Sequence, residues 1–220
     1  MNPNNYSQEP ANQFSYSSSP EYSVNTKKPN RMKENIVTIL VIISAPLLAI
    51  LLSIFVFRTY QVDGPSMLST LHDKDRLIID KIPVTWAIVT VRHYIPARYD
   101  IIVCDHKGSI GGSSSSTEKQ IIKRVIALPG ERIVINNGTA KVYNKQYPDG
   151  YLVDQEGPEA KVIGITSGDI DETIKEGEIF VMGDNRKNSL DSRELGTIRS
   201  QDIIGKLTLR IYPFKDWQTF

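Results

Sequence analysis

The alternation of apolar and polar positions divides this chain into three parts. Residues 1–34 are rich in Asn, Ser, Tyr and Pro and show no apolar period, which predicts a disordered tail. Ile36 to Phe57 then run for 22 residues without a charge, IVTILVIISAPLLAILLSIFVF. As a helix this stretch rises roughly 33 Å, against a hydrocarbon core of about 30 Å. A cleaved secretion signal would carry a shorter apolar region, about 7–15 residues, ending in small side chains. Here Phe-Arg-Thr-Tyr-Gln follows instead. The pattern therefore predicts a retained transmembrane anchor over residues 35–58, with Pro46 tolerated inside it.

Beyond the anchor the period changes to that of strands. Arg76–Asp80, Asp100–Cys104, Gln120–Leu128, Glu178–Met182 and Ile203–Tyr212 read as short strands bounded by turn signals. Arg132–Asn136 and Thr139–Tyr143 flank Asn137-Gly138 and predict a hairpin on a two-residue turn. Asn137-Gly138-Thr139 is also a glycosylation sequon, but the turn accounts for it. His106 to Ser116 reads as a Gly/Ser connector, and residues 144–175 as irregular with weak strands at best. The expected fold class is mostly β: an antiparallel barrel or sandwich over residues 59–220, behind one N-terminal transmembrane helix.

Charge then sets the orientation. Lys27, Lys28, Arg31 and Lys33 precede the apolar run within ten residues, and only Arg58 follows it as closely. The positive-inside bias places the N-terminus in the cytoplasm and residues 59–220 outside, with the lipid bilayer as a partner. Overall the 26 basic and 25 acidic residues nearly cancel, so nothing points to nucleic acid. The single cysteine, Cys104, excludes an internal disulfide and Cys-rich zinc sites. His72, His93 and His106 lack metal-ligand spacing, so neither a metal nor a cofactor is expected.

Three stretches could carry chemistry. Ser66 sits in Gly64-Pro65-Ser66-Met67, just after the anchor, where a turn serine is either ordinary or a nucleophile. Lys123 and Arg124 are consecutive cations in an apolar strand, and the pleat sends them to opposite faces. A lysine in apolar surroundings loses its ammonium preference and becomes a general base, unless its stem merely lies along the surface with its head in water. A Ser-His-Asp triad is the competing activation, but His72-Asp73 is too close in sequence for relay geometry and no Gly-x-Ser-x-Gly elbow exists. Residues 183–196, GDNRKNSLDSRELG, read either as a solvated loop or as one held by side-chain-to-backbone bonds, with Asp191 and Arg193 able to pair.

The order of anchor, Ser-Met turn, Lys-Arg-Val-Ile-Ala-Leu-Pro-Gly-Glu and Gly-Asp-Asn-Arg-x-Asn-Ser-x-Asp-Ser-Arg closely resembles bacterial type I signal peptidases, in particular the short Gram-positive form with one anchor. The resemblance covers about residues 36–213. It implies a Ser-Lys dyad endopeptidase that removes signal peptides from secretory preproteins, cutting after small residues at the first and third positions before the bond. By motif, Ser66 matches the nucleophile and Lys123 the general base. Ser189 matches the hydroxyl that orients the lysine, Asp191 and Arg193 a supporting pair, and Gly183 and Asp184 the turn beneath. Backbone groups of Ser66 and Gly64 would bind the oxyanion; Gly64 stands where some relatives carry a serine hydroxyl. Val62, Leu71, Ile121 and Ile122 would line the substrate subsites. Pro65, Ser69, Tyr99 and Lys187 depart from the residues usual at their positions; Tyr99 replaces a common glycine. Two other readings stay open: a processing peptidase dedicated to one assembly such as a pilus, and a catalytically inactive membrane-anchored binding protein.

Overall fold

The computed structural model describes residues 31–106, 119–154 and 162–220. The predicted tail up to residue 30, and the Gly/Ser connector from Lys107 onward, lie outside the described residues. Helix α1 spans Arg31–Phe55 with Pro46 inside it. Its Asn35–Phe55 part is long and apolar enough to cross a membrane, and none of it is buried by protein. The chain divides within this helix into two units, Met1–Ile43 and Ser44–Phe220; all the strands belong to the second.

The helix stops two residues before the apolar run does. Phe57–Gln61 is a strand, β1, paired antiparallel with β2, Arg76–Asp80. The backbone exchanges intrahelical partners for a ladder at this point, a change that continuous apolarity hides. Ile82–Val89 forms helix α2, which strand periodicity does not predict. Next come β3, Ile101–His106, and β4, Lys119–Ala127. Hairpin β5–β6, Arg132–Asn136 and Thr139–Tyr143, turns at Asn137 (φ +47°) and Gly138 (φ +79°), the two left-handed positions that an Asn-Gly turn supplies.

Residues 144–175 hold two short strands, β7, Tyr151–Leu152, and β8, Ile170–Thr173. They flank the hairpin and complete a four-stranded sheet in the order β7-β6-β5-β8. Strand β9, Glu178–Met182, leads through the short helix α3, Ser192–Leu195, to β10, Ile198–Arg199, then β11, Ile203–Tyr212, and β12, Gln218–Thr219. The larger sheet runs β1-β2-β11-β3-β4-β9-β10, with β12 also on β11. Every strand pair is antiparallel, so the fold is mostly β as expected.

Three apolar clusters fill the interior. One joins the small sheet to β4 and β9 through Ile126, Ile133, Val142, Phe180 and Met182. The other two lie on opposite faces of the larger sheet. Met67, Leu71, Leu77, Ile101 and Val103 pack on one side, and Ile102, Cys104, Val125, Val181 and Ile203 on the other. Met67 and Leu71 seat the segment that carries Ser66, so the nucleophile candidate rests on core.

Gly205, in β11, lets β2 approach closely: a β-carbon there would stand 2.4 Å from the Asp80 carbonyl oxygen. A backbone oxygen in a paired strand cannot step aside. Gly205→Ala should destabilise the fold by about 1–3 kcal/mol, read as a lower midpoint in denaturant unfolding of the detergent-solubilised chain.

Candidate active site

The two faces of β4 decide the site. Lys123 and Arg124 are each only 4% exposed. Both cations are therefore withdrawn from water, and each needs partners on its own side of the sheet. Arg124 is answered by a carboxylate. Its Nε donates to Asp184 Oδ1 at 2.8 Å and its Nη2 to Asp184 Oδ2 at 2.7 Å, a forked pair at the end of β9. Nη2 also donates to Thr70 Oγ1 (3.1 Å) and Nη1 to the Tyr99 carbonyl (2.9 Å). Thr70 Oγ1 in turn donates to Asp184 Oδ2. This network ties β4, the turn after β9 and the Ser66 segment together. Tyr99 adopts φ +68°, the left-handed conformation that explains why glycine is common there, and its carbonyl remains available to Arg124.

Lys123 turns the other way. Its Nζ donates to Ser66 Oγ at 2.8 Å and to the Ile122 carbonyl at 2.8 Å. The Ser66 segment is held on its far side by Asn185. Asn185 N donates to the Ser66 carbonyl (3.0 Å) and Nδ2 to the Pro65 carbonyl (3.1 Å). No motif assignment marked this role; the sequence offered only an asparagine suited to turns.

The 183–196 loop is a buried scaffold rather than a solvated one. Asp191 takes Arg193 Nε (2.8 Å) and Nη2 (2.8 Å), together with the Gly183 N–H (2.9 Å). Burial alone would raise the Asp191 carboxyl, but the Arg193 guanidinium and the Gly183 N–H outweigh it and hold it below the usual range. Arg193 Nη2 also caps the Arg186 carbonyl at 2.7 Å. Arg186, almost fully buried, donates to the Gly183 carbonyl (3.1 Å), to Thr166 Oγ1 (2.6 Å) and to Asp154, bracing the loop against the chain beside the small sheet. Gly183 has no room for a side chain: a β-carbon would stand 2.2 Å from Ser189 Oγ and 2.5 Å from the Ser66 carbonyl oxygen.

Ser189 Oγ is buried, close against Gly183. Two expectations are corrected by this geometry. Gly64 (φ +91°) does not offer a free oxyanion donor, because its N–H donates to Asp73 Oδ1 at 3.1 Å. That bond, with Lys74 beside it, holds the Asp73 carboxyl below its ordinary value. Leu71 has no exposed surface and lies in the core under the site, not in a substrate subsite.

A groove of about 470 Å³ opens over the Ser66–Lys123 contact. Val62, Ile121 and Ile122 line it, joined by Tyr60, Val103 and Leu190. Along this groove β4 pairs with β3 from Lys119 to Arg124, but with β9 only from Arg124 onward. Cys104 is no rival nucleophile: burial in the core pushes its thiol up to about 12.

The chain has relatives among known proteins. The peptidase S26 signal peptidase family matches residues 34–212. Signal peptidase I U of Bacillus subtilis (strain 168) is 34% identical over 194 residues, covering 87% of this chain and 94% of that protein. Signal peptidase I of Bacillus amyloliquefaciens is 37% identical over 180 residues, covering 80% and 84%. Signal peptidase I T of Bacillus subtilis (strain 168) is 36% identical over 205 residues, covering 89% and 96%.

Two outcomes test the network. Arg124→Met leaves Asp184 buried without its cation and should cost about 3–5 kcal/mol, while Arg124→Met with Asp184→Leu should recover part of that loss in chemical unfolding. Asp191, whose carboxyl is depressed in the fold, contributes stability above the unfolded carboxylate value of about 3.9 and loses it as pH falls through the folded value. The destabilisation caused by Asp191→Asn should therefore be full at neutral pH and shrink below about pH 4.

Proposed function

The chain belongs to the peptidase S26 signal peptidase family, serine peptidases that remove signal peptides, and on that premise we propose that Ser66 and Lys123 are its catalytic dyad. The observation that carries this reading is the 2.8 Å contact between Lys123 Nζ and Ser66 Oγ at the floor of an open groove. Withdrawal from water favours the free amine over the ammonium. The free amine takes the Ser66 hydroxyl proton as Oγ attacks the scissile carbonyl, and the tetrahedral oxyanion forms. Among the described residues no acceptor takes the Ser66 N–H, which leaves it as the oxyanion donor. The lysine then passes its proton to the leaving amine of the mature protein, and the signal peptide remains as an ester on Ser66. Lys123 next deprotonates a water that attacks the ester, and the proton returns to Oγ. Ser189 Oγ, buried beside Gly183, is an acceptor for the lysine once it is charged.

The substrate is a secretory preprotein whose signal segment shares the bilayer with α1, so tethering of both partners raises their effective concentration. An extended segment before the scissile bond runs along β4 at Gln120–Lys123, on the side away from β3. Val62, Ile121 and Ile122 form shallow apolar walls that accept small side chains before the cut and reject bulk. The four cations ahead of the apolar run keep the N-terminus cytoplasmic and put residues 59–220 on the outer side.

Ser66→Ala and Lys123→Ala should each abolish processing of a preprotein in vesicles while the unfolding midpoint stays within a few degrees of wild type. Processing that survives Lys123→Ala at neutral pH would overturn the dyad. Activity should also fall on acidification as the amine gains its proton; a rate unchanged between neutral and mildly acid pH would count against a lysine base.

A further inference from the structure

The groove runs from Tyr60, Val103 and Gln120 at one end to Ser66, Lys123 and Leu190 at the other. A chain laid along β4 at Gln120–Lys123 cannot continue in line past Lys123, because β9 holds that side of β4 from Arg124 onward. Residues that follow the scissile bond must therefore leave the sheet over the turn after β9. This turn, from Gly183 to Lys187, lies against the Ser66 segment, with the Asn185 N–H on the Ser66 carbonyl at 3.0 Å.

The far side of the turn carries a short stretch, Ile163-Gly164-Ile165. Ile163 N donates to the Asp184 carbonyl (2.8 Å), and Arg186 N to the Ile163 carbonyl (3.0 Å). Both isoleucines are nevertheless exposed, Ile165 at 62%. Gly164 (φ +89°) lies against Lys187: a β-carbon there would stand 3.1 Å from Lys187 Cγ and 3.5 Å from its Cε. The lysine stem thus rests along the glycine, and the residue as a whole is exposed. The other charges of this loop are paired, Asp184 with Arg124, Arg186 with Asp154 and Asp191 with Arg193, while Lys187 has no carboxylate partner among the described residues. Ser66 is bonded to Asn185, and Asn185 is bridged to Ile163. Two such backbone spacings make roughly 10 Å, which an extended chain covers in about three residues.

We infer that Lys187, seated on Ile163-Gly164-Ile165, is a specificity-determining residue for the mature side of the cut. It favours a carboxylate, Asp or Glu, about three residues after the scissile bond, and disfavours Lys or Arg there. The ammonium is exposed and therefore screened, so it sorts substrates without holding them tightly. Sorting of this kind is separate from the apolar walls of the groove, which touch only residues before the cut. The inference rests on the reading of Ser66 and Lys123 as the dyad.

The test uses the full-length chain in detergent and a preprotein carrying Asp or Lys at the second, third or fourth residue after the bond, one position at a time. At one of these positions the Asp form should exceed the Lys form in kcat/KM by roughly three- to tenfold at low salt. The ratio should fall toward one at about 1 M salt. Lys187→Glu should invert the ratio and Lys187→Arg should keep it. A wild-type chain without a preference, or a ratio that Lys187→Glu leaves unchanged, would overturn the inference. An equal loss on every substrate would mark a merely structural lysine and overturn it too. Ser66→Ala is run beside these variants and reports on the dyad alone. Cleavage by that variant would sink the dyad reading whatever the Asp-to-Lys ratio, so the two failures are distinguishable.

Discussion

Two adjacent cations in a buried strand cannot both be left bare, and the way this chain resolves that constraint builds the site. Arg124 is neutralised by the Asp184 fork and by carbonyl and hydroxyl oxygens of two further segments. Lys123, one residue earlier and on the opposite face, faces the Ser66 hydroxyl instead. The arginine network fixes β4 against the turn after β9, so the lysine is aimed by its neighbour's pairing as much as by its own bonds. Asn185 then reaches back from the same turn to the Pro65 and Ser66 carbonyls. The Pro65 carbonyl and the Ser66 N–H belong to one planar peptide and point in opposite directions. A bond to the first therefore orients the second.

Support comes from outside the larger sheet as well. Arg186 links the Gly183 carbonyl to Thr166 and Asp154, and Arg193 links Asp191 to the Arg186 carbonyl. The small sheet is thus more than an appendage, because its neighbouring chain braces the loop on which the Ser66 segment leans. Gly183 fits this scheme as a point of backbone contact, and a methyl group there would push directly on the Ser66 carbonyl.

Much of this was legible in the sequence where pattern and local chemistry agreed. The Asn-Gly turn, the alternating Ile203–Tyr212 strand and the uncharged anchor each announce their structure, and the motifs located Ser66 and Lys123. Helix α2 was not legible, because an all-apolar stretch has no phase from which to read a period. Strand β1 was hidden because its first residue continues the apolar run. The two strands within residues 144–175 are only two and four residues long and are defined by partners elsewhere. The site details that resisted sequence reading were of one kind. Whether Ser189 reaches the lysine, whether the Gly64 N–H is free and whether Leu71 faces the groove all depend on distances between remote segments. Asp73, for instance, occupies Gly64 from nine residues away.

The side of β4 turned away from β3, which β9 meets only from Arg124 onward, has a consequence of its own. Exposed backbone N–H and C=O groups in a row bind any extended chain that presents a matching ladder, including another molecule of the same protein. A strand edge left open in this way carries a standing risk of edge-to-edge self-association.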